Sequence, residues 1–173
     1  MIDAYSEELK NRQSAQWWYD KASQLRASAA VIWHFGVANE VPDSIKKELG
    51  FPTGFSFEAG CFPVFPLLCG LSIETLLKGI IVLSGGKVEF THNLVELAEN
   101  TAFELDEALK KNLRFLSENV IWDGKYPTPK REDHLRTYWL EHSNNGWSWD
   151  EYRKIWDRFA NEFMHLKESR RTD

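Results

Sequence analysis

The chain has 173 residues, 43% of them hydrophobic, and a net charge of −5. That length and apolar content suffice for one globular domain with a real core. The acidic balance excludes a uniformly basic nucleic-acid-binding surface but leaves room for a local basic patch. Cys61 and Cys69 are the only cysteines, which fits a reducing cytoplasm better than a disulfide framework.

Residues 1–13 (MIDAYSEELKNRQ) are acidic and polar, unlike a secretion signal, and are expected to fray. Residues 15–33 carry Ala15, Trp18, Ala22, Leu25, Ala29 and Ile32 at alternating steps of three and four. That rhythm predicts a helix with one apolar seam, and alanine at half of those positions implies close approach to a neighbour. Lys21 and Arg26 fall off the seam and read as solvated. Residues 35–60 lack a helical period, apart from a short capped helix over 43–49. Phe51, Phe55, Phe57 and Phe62, mixed with Pro52, Gly54 and Gly60, predict a loop pinned to the core by its rings, of the kind that serves as a lid or dimer contact.

Residues 65–97 organise the rest. From Leu67 to Leu83 nearly every side chain is apolar or small, as in a helix enclosed at the centre of a bundle. Pro66 suits its first turn and Gly85-Gly86 its end. Glu74 and Lys78 interrupt the only apolar run near membrane-spanning length, which argues against a transmembrane role. Their i,i+4 spacing lets them pair on one face, either as a structural pair or lining a site. Thr91 or Asn93 is placed to cap a second, short helix, and His92 either helps form that helix start or acts on a phosphate or proton.

Leu105, Leu109, Leu113, Leu116 and Val120 predict a helix over 104–120. The stretch Trp122-Asp123-Gly124-Lys125-Tyr126-Pro127-Thr128-Pro129 reads as non-helical, with Gly124 in a turn and both prolines extending their predecessors. Lys125, Tyr126, Lys130 and Arg131 suit single-stranded RNA, where rings stack on bases and cations meet phosphates; the plainer reading is a solvated turn with Tyr126 tucked against the core. A short helix is expected over 135–140 and a break at Asn144-Asn145-Gly146. Trp149, Tyr152, Trp156, Phe159, Phe163 and Leu166 predict a last helix over 149–166, capped by Ser148 or Asp150, with residues 167–173 frayed. The expected fold is all-α: a single domain over 1–173, an up-and-down bundle of four long helices plus short accessory helices. Eight Trp and eleven Phe also favour an oligomer interface.

The Ala-rich first helix, Ile73-Glu74-Thr75-Leu76-Leu77-Lys78-Gly79-Ile80, Thr91-His92-Asn93-Leu94-Val95-Glu96-Leu97 and the Trp122–Pro127 turn together resemble the HEPN superfamily. The likeness spans roughly residues 15–127. It implies a helical bundle, commonly a homodimer, cytoplasmic, with an RNA- or nucleotide-associated role in a defence or toxin–antitoxin setting. Some members are metal-independent ribonucleases; others are inactive and accompany a minimal nucleotidyltransferase or another protein.

Active members carry an Arg, four to six residues and a His, a pairing that supplies a proton carrier and a fixed cation for the phosphorane charge. Arg136 with His142 and Arg158 with His165 fit that spacing, so these four are the candidate catalytic residues, with Glu74, Lys78, His92, Lys125, Tyr126, Lys130 and Arg131 as candidate RNA- or nucleotide-binding residues. Arg158 is followed by Phe159 where the family has a polar residue. Such spacings arise by chance about once in a chain of this composition, and the net charge is acidic, so the sequence favours a binding or partner module over an endoribonuclease. No cofactor is implied. No metal-ligand spacing, phosphate-binding glycine loop or nucleophile turn is present.

Overall fold

A computed structural model describes residues 4–101, 103–142 and 147–172. The fold is all-α, and every regular element among the described residues is helical. The helices are α1 (Ala4–Arg12), α2 (Ala15–Ile32), α3 (Asp43–Glu48), α4 (Phe57–Cys61), α5 (Val64–Leu83), α6 (Leu94–Glu99), α7 (Glu107–Glu118), α8 (Glu132–His142) and α9 (Trp149–Thr172). Two of them run on into a π-helical turn, Trp33–Val37 after α2 and Asn119–Asp123 after α7.

Helix α5 is the centre. Thirteen of its twenty residues are buried, and α2, α4, α6, α7, α9 and the second π turn all touch it. Phe65, Ile73, Leu76, Leu77 and Ile80 are wholly buried against Leu94 and Leu97 of α6, Leu113 and Leu116 of α7, and Tyr152, Phe159 and Phe163 of α9. The span Phe57–Leu83 is apolar and long enough to cross a membrane by composition, yet 67% of its most apolar window is buried inside the protein. A core helix accounts for that pattern.

The alanines of α2 do what their spacing predicts: Ala22 and Ala29 are fully buried where α2 meets α5. On the α7 side the small residue lies in α5 itself. A Cβ on Gly70 would stand 2.6 Å from Val120 Cγ2 and 2.9 Å from the Leu116 carbonyl oxygen. The end of α5 closes with the Gly85 N–H on the Val82 carbonyl (3.0 Å) and the Gly86 N–H on that of Ile81 (2.8 Å), which satisfies two of the last orphan acceptors. Deep in the core, Ser72 Oγ lies 2.7 Å from both the Cys69 carbonyl oxygen and Tyr152 Oη. Its single proton goes to the carbonyl, so Tyr152 donates to Ser72.

Several expectations are corrected. Residues 4–12, expected to fray, form α1, with Arg12 paired to Glu8 at 2.8 Å. Residues 57–61, expected as loop, form α4, because Ser56 Oγ accepts the Ala59 N–H at 3.1 Å; Phe51, Phe55 and Phe57 pack ring on ring against one another, and Phe51 and Phe62 are exposed where pinning to the core is expected. The last helix continues past Leu166 to Thr172, aided by Lys167 Nζ donating to Gln16 Oε1 at 2.5 Å. Arg26, expected as solvated, is half-buried: its guanidinium lies over the rings of Trp156 (4.9 Å) and Trp149 (5.9 Å), a favourable seat for a cation. The Asn144-Asn145-Gly146 break, residues 1–3 and residue 173 lie outside the described residues.

Gly70→Ala is expected to lower stability by about 1–3 kcal/mol, since the added methyl meets backbone as well as side chain. Tyr152→Phe, which removes one buried donor, should cost about 1 kcal/mol. Urea unfolding of both variants checks the order; a neutral Gly70→Ala would mean that α5 and α7 pack less closely than described.

Candidate functional site

Two buried glutamates set up the site. Glu74 sits in the middle of α5 with its side chain 9% exposed. Burying one carboxylate is costly unless its charge and lone pairs are matched. Lys78, one turn on, donates to Oε1 at 2.6 Å, and His92 Nδ1 lies 2.9 Å from Oε2. The i,i+4 pair predicted from sequence is therefore real, and it also has a third member. His92 is held there by local structure: Asn93 caps α6 by accepting the Glu96 N–H, and Ser117 Oγ of α7 accepts the Leu94 N–H at 2.9 Å. Asn93, not His92, is the capping residue.

Glu118 ends α7 with an equally buried side chain, 9% exposed. Trp122 Nε1 donates to its Oε2 at 2.8 Å, and His134 Nδ1 of α8 lies 3.0 Å from Oε2 and 3.1 Å from Oε1. The π turn makes this possible by carrying the α7 helix on through Asp123. The expectation that Trp122 and Asp123 are non-helical is thus corrected; the chain leaves the helix only at Gly124. Gly124 has an ordinary helical φ of −73°. Its need is steric, since a Cβ there would stand 2.5 Å from Leu67 Cβ of α5. Such insertions in helices are frequent at functional sites.

His92 and His134 line one cavity of about 570 Å³, the size of a small-molecule site. Ile121, Trp122, Pro127 and Pro129 contribute apolar wall, and Lys125, Tyr126, Thr128, Lys130 and Arg131 complete the lining. Tyr126 is 58% exposed, so it is not tucked against the core, and Lys125 Nζ stands 5.7 Å from its ring centre. Arg131 forms a two-point ion pair with Asp133, Nε to Oδ1 at 3.0 Å and a second nitrogen to Oδ2. That pair holds the Asp133 carboxyl below the usual range. Lys125 and Lys130 are exposed, and no acidic side chain among the described residues lines the cavity. The arrangement presents positive charge, exchangeable protons and rings to one small space.

The fold gathers five of the sequence-derived candidates at this cavity: His92, Lys125, Tyr126, Lys130 and Arg131. Glu74 and Lys78 lie behind it. Of the Arg–His candidates, Arg136, Arg158 and His165 do not line it. Arg158 on α9 is committed to Asp106 at 3.0 Å and lies over the Phe103 ring, while His165 is exposed on the same helix. Arg136 is exposed on α8; His142 ends α8, and its side chain lies outside the described residues. Sequence reasoning passes over His134, Glu118 and Trp122 as site residues. The only local signal is Glu118 one turn before Trp122, with His134 sixteen residues after Glu118. No group of three potential metal ligands occurs among the described residues.

Helix α8 is tied down at a second point. Tyr138 packs edge-on against Trp122 at 5.2 Å and bonds to Asp123. Burial, then the Asp123 charge, pushes the Tyr138 phenol up to about 12, and burial also raises Asp123. On the other side of the molecule, the Leu109 N–H and then Arg158 hold the Asp106 carboxyl below its ordinary range.

No family model, curated protein or solved structure matches this chain.

The two shifts give opposite pH limbs. Tyr138 has a raised folded value, so the stability it contributes is complete below about pH 10, its unfolded value, and is lost as pH rises toward 12. Asp106 has a lowered folded value, so its contribution is present above about pH 4 and is lost as pH falls through the folded value. Tyr138→Phe should therefore flatten the alkaline fall in urea midpoint between about pH 10 and 12, and Asp106→Asn the acid fall below about pH 4. A Tyr138→Phe profile parallel to the wild type would show that this phenol is not held neutral.

Proposed function

We propose that this chain is a HEPN-like helical module that binds single-stranded RNA or a nucleotide at the His92–His134 cavity. The observation that carries the reading is the lining itself: cations, two histidines and an exposed tyrosine around one nucleotide-sized space on an otherwise acidic protein. Phosphate meets Lys125 and Lys130, and a base stacks on Tyr126. The HEPN resemblance of the sequence supplies the setting, a cytoplasmic defence or toxin–antitoxin type system in which the module serves beside a minimal nucleotidyltransferase or another protein. Binding is favoured over endonucleolytic cleavage by the Arg–His pairs because Arg158 is already engaged by Asp106, and Arg136, Arg158 and His165 are not among the residues that line this cavity.

The homodimer belongs to the same reading. Leu135, Trp139 and Leu140 of α8 are exposed at 39%, 62% and 72%, an apolar run suited to a second copy of the chain.

Fluorescence anisotropy with labelled oligouridylate is the direct test. Lys125→Glu and Lys130→Glu should each weaken binding about tenfold and lower the salt slope by about 0.7 for each phosphate that is no longer neutralised. Tyr126→Ala should cost about 1–3 kcal/mol of binding. Affinity unmoved by all three changes would remove the cavity as the site. Light scattering should return twice the chain mass, reverting to one chain in Trp139→Glu; a single-chain mass for the wild type at micromolar concentration removes the dimer.

A further inference from the structure

The cavity contains more than cations. Each of its two histidines has Nδ1 on a carboxylate that is about nine-tenths buried, Glu74 for His92 and Glu118 for His134. An ionised carboxylate only accepts, so each Nδ1 carries the proton. That fixes both tautomers and both ring orientations, and it leaves Nε2 as the nitrogen available to the cavity. The two rings come from different elements, the segment before α6 and helix α8, and their backing glutamates from α5 and α7. Four separate elements thus converge to present two oriented imidazoles to one space.

We infer that His92 and His134 are an acid–base pair that hydrolyses a nucleoside 2′,3′-cyclic phosphate, an inference that rests on the nucleotide-binding reading above. Displacement at phosphorus needs a proton acceptor beside the nucleophile and a proton donor beside the leaving oxygen, and imidazole fills both roles near neutral pH. The cavity is of single-nucleotide size, and a five-membered cyclic phosphate is the nucleotide diester whose ring strain already supplies part of the barrier. In the step, one neutral imidazole takes a proton from water as the water oxygen bonds to phosphorus. The bond from phosphorus to one ribose oxygen breaks, and that oxygen takes the proton of the other, protonated imidazole. Water is added across one P–O bond, a nucleoside monophosphate is formed, and no electrons are transferred. Lys125 and Lys130, which line the same cavity, supply positive charge for the phosphorane oxygens. Solvent returns the two rings to their starting protonation.

Phosphorus NMR of cytidine 2′,3′-cyclic phosphate with the full chain, in the presence of a metal chelator, tests this. The expected result is conversion to a monoester carrying one labelled oxygen when the reaction runs in ¹⁸O-water. His92→Asn and His134→Asn, whose amides keep a donor for the glutamates, should each lower kcat by about 100-fold or more with KM changed less than about threefold. Added imidazole should restore turnover to His92→Ala or His134→Ala, which a merely structural role would not give. Three results overturn the inference and leave the binding reading standing: cytidine monophosphate binds without any turnover of the cyclic ester, either asparagine variant turns over at the wild-type rate, or loss is confined to His142→Ala or His165→Ala. If neither the nucleotide nor oligouridylate binds, both readings fall.

Discussion

The enclosure of α5 sets the position of nearly everything else. A helix with no polar face loses most of its stabilisation if any side is left to water, so α2, α9, α7 and α6 are drawn around it. The closeness of that packing depends on small residues on both partners. Ala22 and Ala29 bring α2 in from one side, and Gly70 lets α7 and its π turn reach α5 from another. Once α7 is fixed, Ser117 holds the start of α6 through the Leu94 N–H, and His92 is delivered to Glu74. The site geometry is a consequence of how the core closes.

Within that core the two glutamates are the expensive features. Removing one partner from a buried ion pair typically destabilises by about 3–5 kcal/mol, whereas an apolar pair of similar size would serve stability as well or better. Glu74 and Lys78 therefore contribute little to stability that leucine could not. Glu118 makes the point more sharply, since its side-chain partners are an indole N–H and a histidine. In both cases the carboxylate's remaining oxygen valence is directed at an imidazole that lines the cavity. Orientation of the rings is what the burial achieves.

The seams of α2, α7 and α9, the unbroken apolar run of α5, a cap at Thr91 or Asn93 and the Gly85-Gly86 stop are all legible in the sequence because each is a local pattern, with periods of three and four, a continuous run or a single turn residue. The Glu74–Lys78 pair is legible for the same reason. The Glu118–His134 contact is not: it joins the end of α7 to α8 across a proline-containing turn, and nothing in the residues between them encodes the approach. The π turns are hidden as well, because Asn119-Val120-Ile121-Trp122-Asp123 has no composition that separates an inserted residue from an ordinary helix end. Arg26 reads wrongly as solvated because cation–ring contacts depend on where α9 places Trp149 and Trp156. The polar stretch of α1 offers no apolar stripe to predict a helix from, and its helix is supported by side-chain pairs such as Arg12 with Glu8.

Charge shows the same limit of averaging. A net charge of −5 argues against nucleic-acid binding for the whole surface, yet potentials act within roughly a Debye length, about 8–10 Å at physiological salt. The cavity lining presents Lys125, Lys130 and two histidines, while Arg131 is matched by Asp133 and, behind the lining, Lys78 by Glu74. The acidic residues outside the lining discourage polyanions from settling elsewhere on the surface. On the proposed nucleotide-binding reading, a small basic cavity on an acidic protein suits a ligand with a single phosphate to place, and a long polyanion gains less from it than from an extended basic groove. The size, charge and ring orientation of the cavity are the features on which the proposal of a nucleotide, and not a duplex, rests.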